Sequence, residues 1–532
     1  VSGAPLVDVL ESGLMRMVEG RDVPGLLRRQ AERYPEKPFL VWEPFAGPAE
    51  TWTYKRMHEE STALAGGLAA RGARAGDRIL IHLANSPEFV IAWFACARLG
   101  AIAVSTNTRS VPRDIAYFAD HAGVMMAVTS PEFASVVADN APGLQLLVVT
   151  SHDAGEPAEV PAGVKHVRFD DIVAEAATCP VRKVDPWADL GIQYTSGTTS
   201  RPKAVLWTHA NAIWGAQVNV AHMRLRHEDI TLVVLPLFHT NAQSYSMLST
   251  LWTGGTVVLQ PRFSASRFWD VSVRHRVTWC SLIPFCLRAL REQETPPAHS
   301  YRFWAPAAEL PYVDAEYELR TFGWWGMTET ITQGIVGSPD QPAELLSIGR
   351  ASPAYDISIR HPDGAEVGPG ERGELFIRGV RGVSLFKEYY RNPEATAACF
   401  DADGWFETGD IIRVGLDGEL FFGDRSKDML KVGAENVSAS EIESVIMATG
   451  WVAECAVVGQ PHAMLDEVPV AFVIGLPTAP PELAPRILEA CAADLADFKR
   501  PRQVHVVDEL PRSTLEKVAK GALRARLPLI DG

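Results

Sequence analysis

Two hydrophobic rhythms alternate along the chain. Short β-branched runs without polar interruption recur at RILIHLA (78–84), GAIAVST (100–106), MMAVTS (125–130), LQLLVVTS (144–151), ITLVVLPL (230–237) and GTVVLQ (255–260). Between several of them lie stretches of helical periodicity, the plainest being YKRMHEESTALAGGLAARG at 54–72. Strands that are apolar on both faces must be covered on both faces. Alternating with helices, they predict an α/β fold whose large N-terminal domain holds doubly wound, mostly parallel sheets. The most apolar window, FVIAWFACARLGAIAV at 89–104, is broken by Arg98 and Gly100. It falls short of a bilayer span and reads as a buried helix running into a strand.

From about Tyr355 the rhythm changes to short alternating segments with Gly-rich turns, as in DISIRHPDGAEVGPGERGELFIRG and DGELFFGDR. Such segments predict the hairpins of a small β-barrel-like subdomain. After Arg425 a new unit begins: helix SASEIESVIMATG, strands VAECAVVGQP and PVAFVIG, helix LAPRILEACAADLA and strand QVHVVDEL. The expected organisation is an N-terminal domain over 1–425, with two α/β subdomains to about 354 and a β subdomain over about 355–425. A small α+β C-terminal domain follows over 426–532.

Composition sharpens this in two places. The 532 residues are 47% hydrophobic and 22% charged, as in a globular protein of several domains. The net charge of −15 argues against general affinity for nucleic acid or anionic membranes, so any anionic ligand must be met by local basic groups. The seven cysteines form no CxxC pair and read as free thiols of a reducing cytoplasm, without disulfide or zinc. VSGAPLVDVLESG at the start has no basic segment leading into an apolar one, so no secretory signal is indicated and a cytoplasmic protein is expected.

The stretch YTSGTTSRPKAV at 194–205 crowds hydroxyl side chains, one glycine and two basic residues behind the apolar LGIQ. Backbone N–H groups, hydroxyls and a lysine can together hold phosphate oxygens. The spacing is not the Walker one, because the only glycine is Gly197 and Lys203 comes six residues later. A polar loop between two strands would look much the same. Five further stretches bear on that choice: LPLFHTNA (235–242), GWWGMTET (323–330), GWFETGD (404–410), GDRSKDMLKVGAENVSASEIE (423–443) and LPRSTLEKVAK (510–520).

In this order and spacing, over nearly the whole chain, these motifs resemble the adenylate-forming superfamily of acyl-CoA synthetases, peptide-synthetase adenylation domains and luciferases. The likeness is greatest to an acyl-CoA ligase. The resemblance implies two half-reactions. A carboxylate attacks the α-phosphate of MgATP to give acyl-AMP and pyrophosphate, and a thiol, usually that of CoA, then displaces AMP. It implies that Thr195, Ser196, Gly197, Thr198, Thr199 and Lys203 cradle the outer phosphates and that Trp325 stacks on adenine. Thr328 would touch the α-phosphate, Glu329 would hold Mg²⁺, and Asp410 with Arg425 would bind the ribose. His239 would stand where acid and ATP meet. Lys517 would be the catalytic lysine, Lys427 the hinge of a mobile C-terminal domain, and Gly433 and Ala434 the lining of the pantetheine tunnel. The basic FKRPR at 498–502 is a candidate for the CoA 3′-phosphate.

Four departures qualify the resemblance. Ser200 and Ala204 stand where glycine is usual. If either needs a positive φ, a Cβ costs about 1–2 kcal/mol and narrows the approach to phosphate. Glu516 precedes Lys517 in place of glycine and would repel triphosphate by roughly 2 kcal/mol per charge at ~8 Å and an effective dielectric of ~20. The segment 301–325 brings Trp304 and Pro306 into the acid-binding region. With Phe285, Trp324, Phe303 and Leu310 it predicts an apolar pocket for a bulky cyclic acid, whether aromatic, steroid or terpenoid. An Ala- and Arg-rich composition with these motifs is compatible with bacterial secondary metabolism. The leading expectation is therefore an acyl-CoA ligase for a hydrophobic acid, using ATP, Mg²⁺ and CoA. Three alternatives stay open: a thioesterification specialist fed an acyl-adenylate by a partner ligase, a standalone adenylation domain that loads a carrier protein, and a non-catalytic acyl- or nucleotide-binding protein.

Overall fold

The apolar runs become the strands of two sheets. In this computed structural model the described residues are 13–175, 178–195, 202–425, 430–432, 435–462, 465–495, 497–512 and 518–528. They divide into two compact units. The first comprises Val1–Pro342, Ala351–Asp356 and Arg378–Gly404; the second comprises Ala343–Arg350, Ile357–Ile377 and Trp405–Gly532.

In the first unit one sheet runs Glu388–Tyr389, Lys203–Thr208, Asp189–Thr195, Ile102–Ser105, Arg78–His82, Met126–Thr129, Leu146–Val149 and Val167–Arg168. Its strands are parallel from Asp189–Thr195 onward, while Lys203–Thr208 and Glu388–Tyr389 are added antiparallel at the edge. The other sheet runs Arg320–Thr321, Phe303–Ala305, Trp279–Ser281, Ile230–Val233, Thr256–Leu259, Pro38–Trp42 and Glu50–Thr53. It is parallel except for its last pair. The predicted α/β class, with mostly parallel sheets, is what forms. The window at 89–104 resolves as expected into a buried helix, Pro87–Leu99, and the strand Ile102–Ser105. Ser86 caps the helix by accepting the Phe89 N–H at 3.2 Å, and Gly100 ends it at φ +79, a left-handed conformation that costs glycine no Cβ clash.

In the second unit Ser347–Ala351, Leu420–Arg425, Phe406–Val414, Arg372–Arg378 and Asp356–Arg360 lie side by side in that order. Another sheet pairs Val452–His462 antiparallel with Asp466–Gly475, and Gln503–Val506 adds to it in parallel. Helices Ala439–Ala448 and Leu483–Asp494 bury Ile442, Ile446, Ile487 and Cys491 against Val457 and Val473 of this sheet. The residues read as a β subdomain over about 355–425 are shared between the units, and 357–377 and 405–425 group with the C-terminal residues. No described helix is long and apolar enough to cross a membrane. All seven cysteines carry free thiols.

Two fully buried histidines give the first unit a pH dependence. Burial pushes His82, at the end of Arg78–His82, down to about 4. Burial, with Arg182 beside it, pushes His209 down to about 3. Both are neutral in the fold, whereas an unfolded histidine takes up its proton near pH 6.5. The unfolded state therefore binds more protons as pH falls below about 6.5, and each histidine removes about 1.4 kcal/mol of stability per pH unit down to its folded pKa. We predict a melting temperature that drops from pH 7 to pH 5. In His209→Asn, which keeps an acceptor for the Val23 N–H, the drop is predicted to be shallower. Identical pH profiles for the two proteins would contradict this assignment.

Candidate nucleotide and acid site

The strand Asp189–Thr195 returns as Lys203–Thr208, with Thr195 and Lys203 as register partners. Gln193 lies in register with Ser105, so Thr195 and Lys203 stand at the C-terminal ends of the parallel strands, where open α/β sheets bind ligands. The Lys203 ammonium lies over the ring of Tyr389, 4.6 Å from its centroid. Tyr389 is placed there by its own strand, in register with Val205. Its hydroxyl donates to Glu329 Oε1 at 2.9 Å. Burial, and then the neighbouring Glu329 carboxylate, pushes the Tyr389 phenol well above its ordinary pKa, so it remains a neutral donor.

Glu329, only 4% exposed, belongs to a short turn, Thr328–Thr330, that several neighbours hold. Trp207 Nε1 donates to the Thr328 carbonyl at 2.9 Å, and the Phe386 N–H donates to the Glu329 carbonyl at 2.8 Å. Gly326 just before the turn is required by close approach: a Cβ there would sit 2.4 Å from the Tyr245 hydroxyl and 2.8 Å from the Thr332 carbonyl oxygen. Just after the turn, Ile331 has φ +66, a conformation that costs a β-branched residue on the order of 1–3 kcal/mol. Ser244 restrains it by donating to its carbonyl at 2.8 Å.

The ends of the two sheets are joined by buried amides and hydroxyls. The Thr240 hydroxyl donates to Gln193 Oε1 at 2.8 Å and lies 3.2 Å from the Thr328 hydroxyl. Gln193 Nε2 donates to Gln243 Oε1 at 2.7 Å. Asn85 accepts the Leu237 N–H at 2.8 Å and donates to the carbonyls of Leu235 and Gln260. This network backs the half-buried His239, whose ring meets Phe238 edge-on at 4.5 Å. The chain then enters a π-helix, Asn241–Leu248; the hydroxyls of Ser246 within it and of Ser249 just after it each donate to a carbonyl five residues back. Such widened turns are rare and often mark functional sites.

Thr195, Lys203, Thr328, Glu329 and His239 thus belong to one connected region, and Trp325 lies in the buried strand just before Gly326. Asp410 and Arg425 are register partners in the second unit, on Phe406–Val414 and Leu420–Arg425. Ser196, Gly197, Thr198, Thr199, Ser200, Lys427, Gly433, Ala434, Glu516 and Lys517 lie outside the described residues. Lys499 of the basic 498–502 stretch is paired with Glu441 at 3.0 Å, and Glu441 is also paired with Arg372 at 2.8 Å.

Two expectations need correction. Trp304 does not join an acid pocket with Trp324. Side chains alternate along Phe303–Ala305, so Phe303 and Ala305 share a cluster with Trp324, Tyr245 and Trp279. Trp304 points the other way, fully buried against Phe268, Trp269, Tyr301 and Tyr317. Phe285 is 37% exposed and lies against Phe263. Ala204, in turn, does not strain the backbone: it has no positive φ, sits in regular strand opposite Tyr194, and packs its methyl among Ile192, Leu206 and Tyr390. The reading of the motifs passed over Tyr389, Trp207, Thr240, Gln193 and Asn85. A glutamine ending the apolar run LGIQ was the available signal for Gln193; Tyr389 in FKEYYRNPEAT had none.

Two substitutions test this description. Ala204→Gly should leave pyrophosphate release within about twofold of the parent while costing about 1 kcal/mol of stability. Gly326→Ala should displace the Thr328–Thr330 turn and lower kcat/KM about a hundredfold, because misplacing a reacting group by an ångström costs that much. A large gain in Ala204→Gly, or parental activity in Gly326→Ala, would contradict the geometry.

Comparison with known proteins agrees with this arrangement. Residues 27–390 match the family described as AMP-binding enzyme, and 441–517 match the AMP-binding enzyme C-terminal domain. Among curated proteins, the crotonobetaine/carnitine–CoA ligase of Salmonella heidelberg (strain SL476) is 33% identical over 525 residues, covering 96% of this chain and 100% of that one. Among solved structures, an anthranilate CoA ligase in complex with anthranoyl-AMP aligns with a TM-score of 0.87 at 26% identity, covering 97% and 99% of the two chains. The o-succinylbenzoate coenzyme A synthetase of Bacillus subtilis, in complex with ATP and magnesium ion, aligns with a TM-score of 0.79 at 29% identity over 94% and 99%. The chain belongs to the AMP-binding enzyme family and, within that adenylate-forming superfamily, to its acid–thiol ligases, the acyl-CoA synthetases.

Proposed function

We propose that this chain carries out both half-reactions on one hydrophobic, ring-bearing carboxylic acid, consuming ATP and CoA and releasing pyrophosphate and AMP. The observation that carries the proposal is the connected set Lys203, Tyr389, Glu329, Thr328, Thr240 and Gln193 at the ends of the parallel strands. A cation, a buried carboxylate and hydroxyls gathered in one region support this reading, because a triphosphate with its metal ion calls for such groups. Thr195 to Thr199 with Lys203 hold the outer phosphates, Trp325 stacks on adenine, and Asp410 with Arg425 bind the ribose. Thr328 contacts the α-phosphate, His239 lines the meeting point with the acid, and Lys517 bridges carboxylate and phosphate.

The donor chemistry fits Mg²⁺. No group of three or more His, Cys, Asp or Glu among the described residues forms a cage for a metal, and Mg²⁺ is usually held by one or two carboxylates together with substrate phosphates. Glu329 would hold it, and bound there it would neutralise charge developing on the phosphates. Once acyl-AMP has formed, the C-terminal domain, 426–532, turns about a hinge near Lys427. Gly433 and Ala434, which lack bulky side chains, then line the path of the thiol, and the thiolate attacks the acyl carbon as AMP leaves.

The preference for a ring-bearing acid is supported by Trp324 and Tyr245, which meet edge-on at 5.5 Å beside Gly326, and by two structural neighbours, an anthranilate CoA ligase in complex with anthranoyl-AMP and an o-succinylbenzoate CoA synthetase in complex with the acyl-adenylate OSB-AMP. Pyrophosphate release measured with acetate, crotonate, benzoate, anthranilate and larger fused-ring acids tests it. Ring-bearing acids should exceed acetate by tenfold or more in kcat/KM. Equal or better turnover of acetate or crotonate would overturn the assignment of acid class.

A further inference from the structure

With ATP as the ligand of this site and Thr195 and Lys203 on its outer phosphates, as proposed above, we infer that Tyr117 and His121 are the positioning residues for that pair. Standing one turn apart on the helix Pro112–Ala122, they grip the two strands that end in Thr195 and begin with Lys203. They act through the backbone they fix.

Thr195 and Lys203 form the last described pair of their antiparallel ladder, with Tyr194 opposite Ala204 just before it. Ends of a ladder open more readily than its middle, so a fixed spacing there calls for contacts from outside the sheet. The helix makes them. The Tyr117 hydroxyl donates to the Pro202 carbonyl at 3.1 Å, on the residue before Lys203. A proline has no N–H for a ladder, which leaves its carbonyl as the backbone group by which Pro202 can be held. His121 Nδ1 and the Tyr194 hydroxyl are hydrogen-bonded at 3.0 Å, on the residue before Thr195. A spacing of four sets Tyr117 and His121 on one helix face, and their rings lie 5.3 Å apart. Between them in sequence, Phe118 packs its ring 4.2 Å from that of Tyr194.

The helix can hold others because it is itself held. Ala119 and Ala122 lie in a core cluster with Leu80, Val104 and Ile192 of the parallel strands. Arg78, which opens one of those strands, donates from Nε to the Ala122 carbonyl at 2.7 Å and from Nη2 to the Gly123 carbonyl at 3.0 Å. Arg391 donates to the His121 carbonyl at 3.0 Å, and the neighbouring Tyr390 N–H donates to the Ala204 carbonyl at 2.8 Å. The edge strand is therefore tied to the same helix. Burial, then Tyr117 and Tyr390, push the Tyr194 phenol up, while burial and Arg391 push His121 down. Both are neutral at pH 7, so the grip adds no charge beside a polyanion.

The outer phosphates are present in ATP and absent from AMP, and isothermal titration of each nucleotide into the whole protein, with Mg²⁺ and without acid or CoA, uses that difference. Tyr117→Phe and Tyr194→Phe keep their rings and remove one hydrogen bond each. Each should weaken ATP binding about threefold, the scale of a neutral hydrogen bond, and the double variant about tenfold. AMP affinity should stay within about twofold in all three, a selectivity that a merely structural role would not show. Melting curves precede the titrations, and Tyr117→Phe with His121→Phe replaces the double variant if that does not fold. Loss of ATP affinity below threefold in the double variant, or equal loss for ATP and AMP, would overturn the grip while leaving the ATP reading intact. An unchanged protein that binds ATP no more tightly than AMP would overturn the placing of the outer phosphates on Thr195 and Lys203 as well.

Discussion

A carboxylate almost out of reach of water is the constraint around which the first unit is built. Glu329 can remain charged there only if fixed dipoles replace its hydration, and the Tyr389 hydroxyl supplies one of them. To bring Tyr389 to that point the chain adds a short antiparallel strand beside Lys203–Thr208, at the edge of an otherwise parallel sheet. To keep the turn at Thr328–Thr330 in place it accepts a strained Ile331, a glycine with no room for a methyl group, and an indole N–H from Trp207. These are costs that a folded core of this size can carry, and they fall within a few residues of the groups assigned to the phosphates.

The same constraint explains why two sheets are needed. Thr195 and Lys203 come from one and His239 from the loop that follows a strand of the other. Gln193, Thr240, Gln243 and Asn85 tie these ends together with neutral hydrogen bonds, which fix positions without adding charge to the site proposed for a polyanion. The π-helix after His239 belongs to this arrangement, since Ser244 within it restrains Ile331.

The strands were legible because uninterrupted β-branched runs between helical stretches have few other solutions, and the helix at Pro87–Leu99 was legible from the apolar window at 89–104 that Arg98 and Gly100 interrupt. Glu329 and Lys203 could be picked out by their motifs, although nothing in those motifs said that one tyrosine touches both. Tyr389 is distant in sequence from either, and its contacts exist only once the edge strand pairs. Trp304 failed for a related reason: in a three-residue strand, register decides which face an aromatic takes, and composition does not encode register. Ala204 was judged by the glycine usual at its position, yet its strand has no need of glycine's freedom.

Completeness of the ligase is the central claim, and a paired mass-spectrometric assay tests it most directly. One arm supplies a free ring-bearing acid with MgATP and CoA; the other supplies the corresponding synthetic acyl-adenylate with CoA alone. The account predicts the same CoA thioester from both arms. Thioester from the adenylate arm only, with no pyrophosphate released in the first, would contradict it and would place the defect in the adenylation half-reaction.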